Sequence, residues 1–559
     1  MNVYKRYLQQ FSAKRKFVFM YIGLAILILL NIFFSIITPV YQAQMIDLLS
    51  NNVKIIILRK FIFVFSVFIV SYVLEYITEF FIRKFEVKIS EEISNDIRVT
   101  IINKLNYIKP YFFEKKGLGE VLNLCNRVLS MLEGADITTV IGLMKSMLLV
   151  LIILPILFLI DYKVFLTILA MLVVYIFVNK KLGILISKQS DIVIDKNKQL
   201  LNSIEENYSN WLNIRMYNRF EYSVNRFLKV NNSFKEASIK MKNFYIINST
   251  VILMLMTISL GIIWFIEGLC ILKGLSTIGN VILIMNYQNM LFTPVNYITE
   301  FYNKYKTAET AANSLYEFLD TKNEGDNDEI KFKSSIHTIE FKKTNFAYDE
   351  QNILINAEMI LKKGQISAIV GPSGIGKSTI AKIIFRLKDI TEGTVLFNGI
   401  DIKNADINDL RKRIGYVSNE SVFFYDSIKK NISNEDISNN LLDTYSKKLD
   451  LYDKIELLEN GWDTVVEQQH LNFSEGESRR IDFIRMLVKQ PDVIILDEAI
   501  ACLDEHRKEL FWKCLKEYCS EAIIIVITHN IDDLEHVDLI YHIKNGKFVK
   551  EYRKDSNDE

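Results

Sequence analysis

Cysteine is scarce in this chain of 559 residues: Cys125, Cys270, Cys502, Cys514 and Cys519 are scattered and odd in number. None has the paired spacing of a zinc site, and the scatter makes no disulfide framework, so both are set aside. The thiols read as packing residues, on the reducing side of a membrane or in lipid. An excess of one charge is also missing, with 67 Lys and Arg against 66 Asp and Glu. That balance argues against a nucleic-acid partner. Lys5, Arg6, Lys14, Arg15 and Lys16, with no acid before Phe17, resemble the start of a signal peptide. No small-residue cleavage site follows, however, and the next apolar run is too long for a signal core. An anchor that stays in place is expected.

What is abundant is apolar length. Half of the residues are hydrophobic, and most long uncharged runs fall in the first half of the chain. A hydrocarbon core of roughly 30 Å needs about 20 helical residues. Six stretches qualify as spans: 17–40, a segment from Phe61 past Glu75 and Glu79 towards Arg83, 137–160, 164–179, 243–266 and 277–298. Basic residues crowd the N-terminus and the stretches 83–127 and 180–242. The Asp161-Tyr162-Lys163 turn and the 267–273 turn hold one positive charge each. An inside N-terminus follows, and six crossings return the chain to the cytosol, as expected of a multi-pass cell-membrane protein.

The two long inside segments are periodic. Ile93, Ile97, Ile101 and Leu105 recur at four-residue spacing, and Leu200, Leu201, Ile204, Tyr208, Trp211 and Leu212 do much the same. They read as helices extending from the membrane, turned near Tyr111-Phe112-Phe113-Glu114 and Ile214-Arg215-Met216-Tyr217. Such turns either press on the soluble domain or belong to solvated hairpins without a coupling role. Glu75 and Glu79 allow two readings as well, an i,i+4 pair of Glu79 with Arg83 or the lining of a cavity. Phe292, Tyr297 and Tyr302 are expected to pack. The stretch Lys322-Asn323-Glu324-Gly325-Asp326-Asn327-Asp328-Glu329 has no apolar residue and marks a boundary. The expected domains are a transmembrane domain over 1–310, a linker over 311–334 and a nucleotide domain over 335–559.

The nucleotide reading rests on Gly371-Pro372-Ser373-Gly374-Ile375-Gly376-Lys377-Ser378-Thr379, an ungapped match to G-x-x-x-x-G-K-[ST]. Its glycines let backbone N–H groups turn inward around phosphates at the start of a helix. Lys377 supplies a point charge to the outer phosphates, and the Ser378 hydroxyl is placed for Mg²⁺. Downstream, Val493-Ile494-Ile495-Leu496-Asp497-Glu498 is a buried-strand pattern ending in two carboxylates. Asp497 suits the Mg²⁺ shell, and Glu498 suits polarising the water that attacks a γ-phosphate.

With these motifs the chain resembles the ATP-binding-cassette (ABC) exporter half-transporters over nearly its whole length. The resemblance implies an all-α six-helix transmembrane domain followed by an α/β P-loop ABC ATPase domain, with ATP and Mg²⁺ as cofactors. It also assigns further residues. Phe346-Ala347-Tyr348 sits where the family has an aromatic that stacks on adenine. Ile414-Gly415-Tyr416-Val417-Ser418-Asn419 resembles the segment ending in the Q-loop glutamine. His529, after Thr528, resembles the switch histidine, and Leu503-Asp504 resembles the D-loop. The segment from Tyr111 through Asn126-Arg127 is similar to the first intracellular coupling segment.

Three departures accompany the resemblance. Phe473-Ser474-Glu475-Gly476-Glu477 stands where the family has L-S-G-G-Q, so only Ser474 and Gly476 are kept. In the family this signature closes on ATP held by the other cassette, and Glu475 adds a carboxylate there; two like charges 4 Å apart repel by about 1 kcal/mol in water. Asn419 is one methylene shorter than the usual glutamine, and Thr464-Val465-Val466-Glu467-Gln468-Gln469-His470 lacks the glycine expected before the signature. An intact Glu498 and His529 beside an altered signature suggest a heterodimer with a second half-transporter; a homodimer with two slow sites is the alternative.

The expected function is ATP-driven export of an amphiphile (peptide, lipid or drug-like) by alternating access, the cargo being a small molecule or a peptide. An ATP-sensing membrane regulator without cargo and an importer of a metal chelate are the other readings. With no peptidase domain ahead of Phe17, export coupled to cutting of a leader is not expected.

Overall fold

Long uncharged runs become long helices. A computed structural model describes residues 3–50, 55–115, 121, 124–133, 137–325, 330–348, 351–372, 374–466, 473–530 and 532–552. The chain divides into two units, Met1–Asn106 with Leu118–Thr321, and Tyr107–Gly117 with Lys322–Glu559. The acidic end of the expected linker, 326–329, lies outside the described residues.

The first unit is built on six long helices: α1 (Val18–Ser50), α2 (Ile55–Tyr107), α3 (Ile137–Ile160), α4 (Tyr162–Ser209), α5 (Phe220–Leu272) and α6 (Ile278–Leu319). Among the described residues, five helical stretches, those of α1 to α5, are apolar and long enough to cross a membrane. The expected sixth span, 277–298, falls in α6, which is not among them. Its amides dilute the apolar run, and they are used inside the bundle. Asn286 Nδ2 donates to Gln42 Oε1 at 3.1 Å, and Gln288 Nε2 donates to the Met256 carbonyl at 3.3 Å. The helix α6 also continues through Leu319, into the stretch read as linker.

Two expected turns differ in outcome. Asp161 caps α4 by accepting the Lys163 N–H at 2.7 Å, so the helix starts directly after it. The 267–273 segment, by contrast, is mostly helix, because α5 runs to Leu272. Glu267 is buried there and accepts the Ser276 hydroxyl proton at 2.6 Å, which moves the turn beyond it. Asp47 of α1 accepts from the Thr277 hydroxyl and the Gly279 N–H, both at 2.8 Å, and so fixes the start of α6.

Of the two acidic residues read in the second span, Glu79 has its carboxylate held by protein. Glu79 accepts from Arg83 Nε at 3.1 Å, the i,i+4 pair expected, and from Lys145 Nζ of α3 at 2.8 Å. Nearby, Asn31 of α1 donates to the Glu75 carbonyl and to Thr78 Oγ1, both at 3.0 Å. Ile93, Ile97 and Ile101 of α2 are buried, as their spacing implies. The second periodic set behaves differently: Leu201, Ile204, Tyr208, Trp211 and Leu212 are all exposed, Tyr208 at 80%. The α4–α5 contact there is polar, with Arg226 Nη1 on Glu206 Oε1 at 2.7 Å. Short helices, Tyr111–Lys115 and Trp211–Met216, occupy the two expected turning segments.

The second unit carries two sheets. Antiparallel β1 (Thr338–Tyr348), β2 (Gln351–Lys362), β4 (Glu392–Phe397) and β5 (Ile400–Asp401) run in the order β2-β1-β4-β5. The other sheet also holds β3 (Ile366–Val370), β6 (Ile414–Val417), β7 (Val493–Asp497), β8 (Ile523–Thr528), β9 (Leu539–Lys544) and β10 (Lys547–Tyr552), ordered β10-β9-β3-β8-β7-β6. From β9 to β6 its neighbours are parallel. Strands covered on both faces read as unbroken apolar runs, and β7 and β8 are buried at every position. The coupling-like segment, Tyr111 through Arg127, is divided: its start is grouped with this unit, within Tyr107–Gly117, and the part from Leu118 onward with the first unit. The Glu324 N–H donates to the Tyr107 carbonyl at 2.7 Å, and Lys109 lies 3.5 Å from Asp389.

Phe397, fully buried beside Phe332 with ring centroids 6.2 Å apart, tests this core. Phe397→Ala is expected to cost about 3–5 kcal/mol, read as a lower thermal midpoint of the full chain in detergent.

Candidate nucleotide site

The fully buried part of β3 ends at Ile369, and the chain then turns through Gly371-Pro372 and Gly374-Ile375-Gly376 into helix α7 (Lys377–Ile384). Ser373, expected in the cradle, lies outside the described residues. Gly374 and Gly376 have φ of +81° and +105°, a region that L side chains rarely adopt. A Cβ on Gly376 would stand 2.1 Å from Ile353 Cγ2, so this position requires glycine twice over. Lys377, 7% exposed, donates from Nζ to the carbonyls of Gly371 at 2.8 Å and Pro372 at 3.1 Å. The ammonium is thus held across its own loop. Ser378 and Thr379 follow on the first turn of α7.

Neighbouring strands bring the carboxylates alongside. Asp497, 6% exposed at the end of β7, accepts from the Tyr416 hydroxyl at 3.2 Å. Burial pushes its carboxyl above the ordinary range, opposed by hydrogen bonds from Ser378 and Tyr416. Asp497 also raises the Tyr416 phenol, which burial lifts first. Glu498 has φ +52°, a strained backbone for a side chain of this size, and its N–H bonds the Ile527 carbonyl at 2.9 Å. Its Oε1 lies 3.0 Å from His529 Nδ1, just past β8. The loop, the two carboxylates and the histidine therefore stand at the same edge of one sheet.

Tyr348 ends β1, in T-shaped contact with Phe346 at 4.9 Å and with Lys388 Nζ 4.8 Å from its ring centroid. A ring that holds a cation on its face has the quadrupole for stacking on a base. The exposed Asn419 is fixed through its backbone, since its carbonyl and that of Ser418 accept from Arg479.

Arg479 belongs to helix α8 (Glu475–Lys489), which begins within the expected signature segment Phe473–Glu477. Ser474 is the N-cap: its hydroxyl accepts the Glu477 N–H at 3.3 Å, and Glu477 Oε2 accepts the Ser474 N–H at 2.7 Å. This is a capping box, so the residue in place of the family glutamine is used locally. Burial pushes the Glu477 carboxyl up, but the Ser474 hydrogen bonds outweigh it and hold it below the ordinary range. Glu475 is exposed, 3.9 Å from the buried Arg479. A Cβ on Gly476 would meet only ordinary contacts, the nearest at 3.5 Å from the Cys502 carbonyl. The residues 467–470, where a glycine was expected, lie outside the described residues. Asp504 is likewise a cap, accepting the Arg507 N–H at 2.9 Å at the start of α9 (Glu505–Tyr518).

Lys388 and Arg479 were not singled out by motif, and Tyr416 was named only as part of the Q-loop-like segment. Arg479 had a readable signal, since Arg479-Arg480 interrupts the apolar face of α8; the partners of Tyr416 and Lys388 come from elements distant in sequence.

The model for the ABC transporter transmembrane region matches residues 20–295, and that for the ABC transporter matches 354–501. The chain belongs to the ABC transporter family. Among its relatives are the heavy metal tolerance factor 1 of Caenorhabditis elegans, 29% identical over 60% of this chain and 43% of that one. The ATP-dependent lipid A-core flippase of Pectobacterium atrosepticum is 27% identical over 64% and 63%. The mitochondrial iron-sulfur clusters transporter ATM1 of Kluyveromyces lactis is 28% identical over 60% and 48%. These matches span less than two thirds of the relatives' own length. A bacterial Atm1-family ABC exporter solved with ATP bound is 20% identical, covers 95% of this chain and 94% of its own, and has a TM-score of 0.78. That likeness establishes the fold, a helical transmembrane domain followed by an α/β cassette. Family membership brings nucleotide binding and a membrane location with it.

Substitutions at two positions probe the site. Gly376→Ala is expected to weaken nucleotide binding at least about tenfold, since one 1.4 kcal/mol loss suffices and steric strain at such positions is larger; titration with a fluorescent ATP analogue reads it. Glu477→Gln keeps the capping box, whereas Glu477→Ala is expected to cost about 0.5–2 kcal/mol. Because folding lowers the Glu477 pKa, its contribution is present above the ordinary glutamate value, about 4.3, and is lost as pH falls through the folded value. Thermal melts at neutral and acid pH should show the Ala variant deficient only at neutral pH.

Proposed function

We propose that this chain is one half of a dimeric exporter that hydrolyses ATP to move an amphiphile across the cell membrane by alternating access. The observation that carries the reading is the Glu498–His529 contact at 3.0 Å beside the glycine loop. Glu498 polarises the attacking water, and His529 holds Glu498 in position and reaches the γ-phosphate. Lys377 leaves the Gly371 and Pro372 carbonyls for the phosphates. Ser378 and Asp497, hard oxygen donors on adjoining elements, would hold Mg²⁺, which neutralises charge on the β- and γ-oxygens. Tyr348 takes the adenine ring.

Ser474 and Gly476, with Asp504 beside them, serve the cassette of the other chain, and Asn419 stands at the place of the Q-loop glutamine. The exposed apolar stripe of Leu201, Ile204, Tyr208, Trp211 and Leu212 supports a partner chain, because patches of this kind mark interfaces. The positive-inside distribution favours a cytoplasmic N-terminus and nucleotide domain. Relatives named for lipid A support an amphiphilic cargo. A heterodimer is favoured by Glu475, which would bring a carboxylate towards the phosphates held by the partner.

Glu498→Gln is expected to retain ATP and to lower steady-state hydrolysis by about 10²-fold or more, the scale of a lost general base. Lys377→Ala is expected to lower binding or turnover. Unchanged hydrolysis by the purified chain in both variants would refute the assignments. Rapid turnover by the wild-type chain alone would sink the heterodimer, and ATP-dependent uptake into inverted vesicles separates an exporter from a sensor.

A further inference from the structure

The first unit holds a cavity of about 730 Å³ between the N-terminal segment, α1 and α3. That volume is in the range of sites that take one ligand, about 300–1,000 Å³. Its deep walls are apolar, including Leu24 and Ile28 of α1 and Met144 and Leu148 of α3. Lys5, Ser12 and Lys14 of the N-terminal segment line it as well. Three observations concern what fills it.

The first is depth. Along α1 the lining runs from Val18 to Leu29, about 16 Å of helix, and one leaflet of the hydrocarbon core is about 15 Å thick. An acyl chain entering beside Val18 has apolar wall for one leaflet. The second is charge. The residues before Phe17 contain five Lys and Arg and no acid. Lys14 is held by Asp96 at 2.6 Å and Lys145, deeper in the lining, by Glu79 at 2.8 Å. Lys5 is exposed and makes no ion pair among the described residues, so its charge is available to a ligand. The third is the Ser12 hydroxyl. Ser12 is 1% exposed and its Oγ has no hydrogen-bond partner among the described residues. The Tyr21 hydroxyl donates to the Ser12 carbonyl at 2.9 Å and fixes the backbone there. A buried hydroxyl left without a partner costs about 1–3 kcal/mol, and a phosphate oxygen at the mouth would accept from it.

We propose that this cavity binds one anionic phospholipid of the bilayer. Its phosphate lies against Lys5, Ser12 and Lys14, and one acyl chain descends along Leu24, Ile28, Met144 and Leu148. The lipid joins the basic N-terminal segment to α1 and α3. The site is separate from the nucleotide machinery and does not depend on the export reading.

Native mass spectrometry of the purified, delipidated full chain, titrated with dioleoylphosphatidylglycerol or dioleoylphosphatidylcholine, tests this. A preference of about fivefold for phosphatidylglycerol is expected, one lysine's worth of attraction to an anionic headgroup. Lys5→Glu should abolish the preference and Ser12→Ala should weaken binding of both lipids, while Lys181→Glu, on the far reach of α4, should leave both intact. Ala25→Trp, which fills the cavity, should lose the phosphatidylglycerol adduct, and a far-ultraviolet spectrum like that of wild type shows that the variant has folded. Equal retention of the two lipids by wild type, or an unchanged preference in Lys5→Glu, would overturn the proposal. Displacement of the lipid by millimolar inorganic phosphate would assign the cavity to a free anion and overturn it as well.

Discussion

The parallel register of β3, β8 and β7 is the constraint on which the candidate site depends. Val370 pairs with Thr528, and Asp497 with Ile527. Neighbouring parallel strands end side by side, about 4.8 Å apart. The glycine loop after Val370, the carboxylates at Asp497 and Glu498, and His529 after Thr528 therefore emerge along one edge, although more than 150 residues separate the first from the last. Ligands of open α/β sheets gather at this carboxyl edge for the same reason. The strands hold their places because they are isoleucine- and valine-rich and buried on both faces. The strained φ of Glu498 is kept by its own N–H bond to Ile527 on the next strand.

Around that edge the altered residues are woven into local structure. Glu477 closes a capping box instead of standing as an isolated acid. Arg479 is buried and holds the carbonyls of Ser418 and Asn419, so the segment with the shortened Q-loop side chain is tied through its backbone to the helix that begins with the altered signature. Glu475 has the Arg479 charge 3.9 Å away, which offsets part of its repulsion of phosphate.

Much of this was legible in the sequence because it rests on local signals. The glycine loop is contiguous, Asp497-Glu498 ends an apolar run, and the Glu79–Arg83 pair lies one helical turn apart. Other features were not legible, for physical reasons. Lys145 sits inside the apolar span 137–160, and its partner Glu79 lies on another helix. The amides of the sixth helix bond across the bundle, to partners on helices distant in sequence. Leu201, Ile204, Tyr208, Trp211 and Leu212 show a helical period, but periodicity identifies an apolar face without saying what covers it. Here that face points outward. Asp504, a D-loop residue by its motif, is a helix cap by its geometry, and a cap residue can also face a neighbouring chain.

The central claim is that the glycine loop at the edge of β3 forms half of a site whose other half is the Ser474–Gly476 turn of a second chain. Photocleavage with Mg²⁺ and vanadate tests it most directly, because the trapped phosphate analogue cuts the backbone that it touches. The account predicts cuts within both 371–378 and 474–476 in the assembled transporter, the second depending on the companion chain. Cleavage confined to the glycine loop whatever the companion would contradict it.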